Sequence, residues 1–462
     1  MSQSVAACAR ASSSAAGRRN DFVGGLLAAL LVLVLALLPS GANAMKIQKV
    51  KSPGGLEAWL VEEHAVPLMA LRFSFDGGNA QDPAGKDGLA NFLTGMMDEG
   101  AGDLTAIQFQ ERMEEIAMRM GFEDGRDALY GSLETLTQYR EKAVALLKLA
   151  LTQPRFDRDA ADRVRQQLLA RLAFEARDPD RVAGRIWSEV AFPGHPYGRP
   201  ANGKPETLAA ITRDDLEGYR KRVFAKSTLK IVAVGDIDAK TLGTLIDDVF
   251  GGLPDKADLV PVSATQPVKG GVFKVVEMDV PQSVVVFGHG GIARKDPDFM
   301  PAFVVNHILG GGSFASRLME EVREKRGLAY GVYSYLQPYS SAAVFAGSVA
   351  TKNEAVDQSL DVIKSELKRM ADLGPSPTEL DNAKKFLTGS YALRFDTNAK
   401  IADQLLAIQR DNLGIDYVDK RNAQVEAVTV EDAKRVAKRL LTSEDLIVTI
   451  VGKPTKVTDQ KK

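Results

Sequence analysis

Arg323 and Tyr330 are the residues best placed, by type and spacing, to do chemistry. A guanidinium and a phenol can together hold a peptide carbonyl, or the oxyanion that forms when that carbonyl is attacked. Both lie in GGGSFASRLMEEVREKRGLAYGVYSY, residues 310–335. Residues 314–326 are predicted to be a helix, with Leu318, Met319 and Val322 on a 3.6-residue apolar stripe. Gly327 falls where a left-handed helix cap is expected. From Ala329, the alternation of Tyr330, Val332 and Ser334 with Gly331, Tyr333 and Tyr335 predicts a strand. A cation in the last helical turn and a phenol at the strand start would then converge. Plainer readings stand beside this one. Arg323 suits a solvated arginine paired with Glu320 or Glu324, Tyr330 suits a packed strand aromatic, and Arg326 competes for the carbonyl.

Other chemistries find less support. Gly310, Gly311 and Gly312 lack the Lys-Ser/Thr of a phosphate loop. They are expected as a flexible loop that lets backbone approach a substrate, or as a simple turn. Ser313, Ser316 and Ser334 have no histidine base nearby. The four histidines, His64, His195, His289 and His307, include no pair at i, i+4. A catalytic zinc needs about three protein ligands, so no metal site is expected in this chain. Lys+Arg at 59 against Asp+Glu at 60 gives no basic excess for a nucleic-acid partner.

The elements that must position the pair come from a duplication. Residues 66–93, with Gly77-Gly78 and Asp82-Pro83, resemble residues 280–309, with Gly290-Gly291 and Asp296-Pro297; the two Asp-Pro pairs are 214 positions apart. A second echo keeps nearly that offset, Thr212 and Thr429 each preceding acidic residues as expected helix N-caps. Short alternating strands mix with amphipathic helices such as residues 140–151 and 159–174. Turns at Pro53-Gly54-Gly55 and Gly77-Gly78 favour antiparallel pairing. The expected fold class is α+β: two homologous halves, each a mostly antiparallel sheet covered by helices, spanning 45–250 and 272–455. Residues 251–271, rich in proline and glycine, read as an interdomain linker.

Ahead of the halves, Arg18 and Arg19, an apolar run over residues 22–38 and Ala42-Asn43-Ala44 have the order of a secretory leader, residues 1–44. An uncleaved membrane anchor is the lesser alternative. The single cysteine, Cys8, lies in the leader, so no disulfide is expected in the mature chain. A bacterial periplasmic protein, with no stable membrane span after cleavage, is the expectation.

The two halves, the 310–335 segment and FPGHPYGRPANG at residues 192–203 together resemble the insulinase/pitrilysin zinc peptidases over residues 46–452. That family carries an H-x-x-E-H zinc helix, with the Glu as general base. The matching helix here, residues 88–100, has Asn91, Thr94 and Gly95 in place of His, Glu and His, and the downstream acidic ligand falls loosely at Asp162. The resemblance implies that Arg323 and Tyr330 are the family's substrate-holding pair. It further implies the non-zinc, substrate-binding subunit of a heterodimeric metallopeptidase, acting on peptides or unfolded segments. Zinc would sit in a homologous partner subunit, and this chain would hydrolyse nothing alone. The duplication puts the pair at the head of the second half, facing the 88–100 helix. The alternative is a non-catalytic structural or peptide-binding chamber of the same fold, with the pair as relics.

Overall fold

The computed structural model describes residues 45–455; residues 1–44, where a leader is expected and Cys8 falls, and residues 456–462 lie outside them. The first half runs β1 (Gln48–Lys51), β2 (Glu57–Glu62), β3 (Leu68–Asp76), α1 (Leu89–Met96), α2 (Ala106–Glu115), β4 (Arg119–Asp124) and β5 (Ala128–Leu136). It continues with α3 (Arg140–Thr152), α4 (Arg158–Glu175), α5 (Pro179–Ala191), α6 (Pro205–Ala210), α7 (Arg213–Val223), β6 (Lys230–Gly235) and α8 (Ala239–Phe250). The second half runs β7 (Phe273–Glu277), β8 (Gln282–Gly290), α9 (Phe299–Asn306), β9 (Ala329–Pro338) and β10 (Ala343–Lys352). It closes with α10 (Val356–Leu373), α11 (Pro377–Gly389), α12 (Asn398–Arg410), α13 (Tyr417–Glu426), α14 (Val430–Leu440) and β11 (Ile447–Gly452).

The strand orders are β1-β2-β6-β3-β5-β4 and β7-β11-β8-β10-β9. Only β2–β6 and β7–β11 pair in parallel among the described residues, so the α+β, mostly antiparallel expectation holds. β4 and β9 are edge strands. Thr212 and Thr429 cap α7 and α14, accepting the N–H of Asp215 at 3.2 Å and of Asp432 at 3.0 Å.

One face of each sheet is sealed by its own helices. In the first half Phe75 stacks on Phe224 at 4.8 Å and Phe73 meets Phe250 edge-on at 5.1 Å. Burying such a ring contributes about 1.5–3 kcal/mol. Phe73 is paired across the sheet with Gly131, and a Cβ there would overlap the ring. The second half repeats the device: Phe287 is paired with Gly347, whose Cβ would again strike the ring. The duplication is therefore written in packing as well as in motif.

The other face of each sheet is covered by a helix of the opposite half. α5 lays Val182, Ala183 and Trp187 on β8 and β11, and Trp187 Nε1 donates to the Ile447 carbonyl at 3.1 Å. Reciprocally, α12 crosses β3 and β6, where buried Arg72 donates to Glu134 at 2.6 Å and to Asp403 of α12 at 2.7 Å. No helix or strand lies between α8 and β7. That segment is bound to both halves: Val260 exchanges two hydrogen bonds with Gln81, and Thr265 N–H donates to Ser341. No helix among the described residues is long and apolar enough to cross a membrane.

Candidate functional site

The segment leading to β9 is not the regular helix predicted over 314–326. A 3₁₀ turn at Ser313–Ala315 leads into a π-helix at Met319–Glu324. The wider turn shows in Lys325 N–H donating to Glu320 at 2.9 Å, five residues back. Gly327 then takes φ 61°, the expected left-handed cap, and β9 begins at Ala329.

Arg323 occupies the last π-helical turn with its guanidinium between two aromatic faces. Its Cζ lies 4.7 Å from the Phe314 ring centroid and 5.0 Å from that of Tyr330. Phe314 is 65% exposed and Tyr330 82%. Nε lies 3.4 Å from Glu324, whereas Nη1 is buried without a hydrogen-bond partner. A charged donor left unpaired forgoes a bond worth about 1.5–3 kcal/mol. An arriving carbonyl oxygen would supply the acceptor.

Tyr330 owes its exposure to a β-bulge. Val332 opposes Val349 and Ala329 opposes Thr351, so Tyr330 and Gly331 together face Ala350. Val332 and Ser334 share the sequence parity of Tyr330 and are buried. The bulge re-aims Tyr330 outward to Arg323.

Arg326 is no rival for the carbonyl. Its Nη1 donates to the Glu321 carboxylate at 2.6 Å and to the Glu321 carbonyl at 2.8 Å. Hydrogen bonds from Lys325 and Arg326 hold the Glu321 carboxyl below the usual range. Arg317 anchors the segment from beneath, giving Nε and Nη2 to the two Glu379 oxygens at 2.6 and 2.8 Å and Nη2 to the Gly374 carbonyl at 3.1 Å. The triglycine is not a loop. Gly310 and Gly311 end a π-helical turn, His307–Gly311, with Gly312 following it. A Cβ at Gly310 would sit 2.7 Å from the Ser334 backbone nitrogen, so glycine there admits close packing on β9.

The matched metal helix is α1. Asn91 donates its amide to Asp124 at 2.8 Å, and its Oδ1 is buried and unpaired. Thr94 donates its hydroxyl to the Asn91 carbonyl at 2.9 Å, and Gly95 offers no donor atom. A cavity of about 600 Å³ opens here, lined by Asn91, Thr94, Arg126 and Arg171 and, from the second half, Gln337 and Tyr339. Asp162 does not reach it. That carboxylate pairs with Arg165 at 2.7 Å and with Arg158 at 3.8 Å. Arg171, which does line the cavity, follows on α4 by about two and a half turns, on the opposite face. No cluster of three His, Cys, Asp or Glu suited to a metal occurs among the described residues. An amide, a hydroxyl, a glycine and a guanidinium do not fit a zinc ion.

Nor does the pair face α1. Gln337, at the far end of β9, borders the cavity; Tyr330 stands seven residues earlier, about 23 Å along the strand. The two sites belong to opposite ends of one edge strand. Sequence reasoning also missed Arg126, which lies between the Tyr197 and Tyr339 rings at 5.5 and 5.2 Å. FPGHPYGRPANG braces the same region: Arg199 donates to the Asp82 carbonyl at 2.8 Å, and Asn202 to Glu175 at 3.0 Å.

Two like-packed α+β halves, each a mostly antiparallel sheet covered by helices, define a peptidase-type fold, in which Asn91, Thr94 and Gly95 stand at the positions matched to the metal helix. Residues 60–203 match the family described as insulinase (peptidase family M16), and residues 210–387 match the peptidase M16 inactive domain. The non-peptidase homolog YmxG of Helicobacter pylori is 32% identical over 376 residues, 80% of this chain and 85% of that one. An uncharacterized zinc protease of Streptomyces coelicolor is 24% identical over 403 residues, 86% of this chain and 87% of its own. The crystal structure of a peptidase M16 inactive domain from Pseudomonas fluorescens superposes with a TM-score of 0.83 at 28% identity, covering 90% of this chain and 99% of that one. The chain belongs to peptidase family M16, the insulinase family.

Proposed function

We propose that this chain is the non-zinc, substrate-binding subunit of a heterodimeric periplasmic metallopeptidase that degrades peptides or unfolded segments. The observation that carries the reading is the separation of the two sites. Arg323 and Tyr330 present an unpaired donor and an exposed phenol, yet stand about 23 Å along β9 from the cavity at α1. A pair that cannot serve its own chain's cavity is suited to a partner's. The homologous partner would contribute zinc and the general base, and Arg323 and Tyr330 would hold the substrate carbonyl. The name of the Helicobacter relative and the inactive-domain match support a non-catalytic role. In this reading residues 1–44 are a cleaved leader, 45–250 and 272–455 the two halves, and 251–271 their linker.

The test is co-expression with a homologous subunit carrying an intact H-x-x-E-H helix, followed by digestion of an unfolded protein. Each subunit alone is expected to be inactive and the mixture active. Activity of this chain alone in the presence of chelator would overturn the proposal.

A further inference from the structure

The cavity at α1 has lost the means to hold zinc and kept those of a binding site. Arg126 is its centre. The cation lies between two tyrosine rings, and among the described residues its one hydrogen bond goes from Nη1 to the Tyr197 carbonyl. It has no carboxylate partner among the described residues, whereas Arg171 is taken by Glu175 at 3.0 Å. Asn91 Oδ1 is a buried acceptor with no donor. Asp124 is occupied by two side-chain amides, from Asn91 at 2.8 Å and Asn79 at 3.0 Å. A second hollow, of about 690 Å³, shares Arg126, Ala201 and Asn202 with the first and is floored by Leu169, Leu172 and Ala176. Both hollows have the size of small-ligand sites.

A guanidinium with no carboxylate partner among the described residues and an amide oxygen with no donor ask for a ligand bearing a carboxylate and an N–H. The adjoining apolar floor asks for side chains. We infer that this cavity binds the C-terminal end of a peptide, the free carboxylate on Arg126, the last peptide N–H on Asn91 Oδ1 and the preceding side chains along α4. The carboxylates of Asp124 and Glu123 also line the cavity and repel a more highly charged anion such as phosphate. Binding here needs neither a partner nor Arg323, so it stands or fails apart from the proposed peptidase role.

The test is calorimetric titration of the purified chain with an N-acetylated apolar hexapeptide, as the free acid and as the C-terminal amide. The acid is expected to bind at least about tenfold tighter, the scale of one charge-assisted pair. R126Q is expected to abolish that preference. Because Arg126 also braces Tyr197, A201W, which fills the neck shared by the two hollows, serves as a second variant and is expected to block the acid. Thermal melts check that both variants fold. Equal binding of acid and amide, absence of binding at millimolar peptide, or competition by inorganic phosphate at the peptide's own concentration would each overturn the inference.

Discussion

Arg323 and Tyr330 stack on each other across the join between a π-helix and a bulged edge strand, guanidinium carbon 5.0 Å from ring centroid. Tyr330 sits in the bulge and Arg323 in the π-helical turn, so each member of the pair lies in an irregular stretch of backbone. In an active mixture with a zinc-bearing subunit, R323A is expected to lower kcat by about 10²–10³, the loss seen when one oxyanion donor is removed. Y330F keeps the stack and removes only the hydroxyl, so it isolates the phenol's share of the loss. Unchanged turnover in both variants would make the pair a relic.

The zinc content of the isolated chain is expected to fall far below one ion per molecule after dialysis, as measured by atomic absorption. The reason is local: Asn91 offers one neutral amide oxygen, its nitrogen being held by Asp124, the Thr94 hydroxyl is held by the helix backbone, and Gly95 has no donor, which falls short of the three ligands zinc needs. Stoichiometric, chelator-resistant zinc would contradict the reading of α1.

Acid should loosen the segment that carries Arg323. The Arg317 guanidinium holds the Glu379 carboxyl down to about 2, from 4.5. A carboxyl depressed by folding stabilises the native state above its unfolded pKa, and that contribution disappears as pH falls from about 4.5 towards about 2. Thermal melts across this window should show a smaller decline for E379Q than for wild type. At neutral pH, R317A is expected to cost about 2–3 kcal/mol, below the range for a fully buried pair because Glu379 is one-third exposed.

The paired glycines give a test of the duplication. G131A and G347A each push a methyl group into a phenylalanine ring, Phe73 or Phe287, at equivalent places in the two sheets. Each is expected to destabilise by about 1–3 kcal/mol in chemical denaturation. The matching F73L or F287L should recover part of the loss.

Much of the fold was legible in the sequence because duplication states each signal twice. The capping threonines Thr212 and Thr429, the cap at Gly327 and the strand from Ala329 follow local rules, and the structure obeys them. The π-helix did not announce itself, since Leu318, Met319 and Val322 satisfy a 3.6-residue stripe as readily as a wider one. The bulge was invisible for a related reason: alternation is read on one strand, whereas a bulge exists only against its neighbour. Asp162 was placed by a loose match to the family's downstream acidic ligand, and on α4 it falls on the face away from the cavity, paired with Arg165. Arg126 carried no signal at all, because its aromatic partners Tyr197 and Tyr339 are distant in sequence and meet it only in the folded chain.

The exchange of α5 and α12 between the halves constrains how such a chain can be taken apart. Each sheet is roofed by a helix encoded in the other half, so neither half expressed alone would have a finished surface. The β8–β11 face would be left bare where Trp187 now seats, and the β3–β6 face would keep Arg72 without Asp403. Truncation studies meant to separate the two sites are therefore better replaced by point variants in the intact chain. Two copies of an ancestral unit that traded these helices would already have been a clasped dimer before a connecting segment joined them.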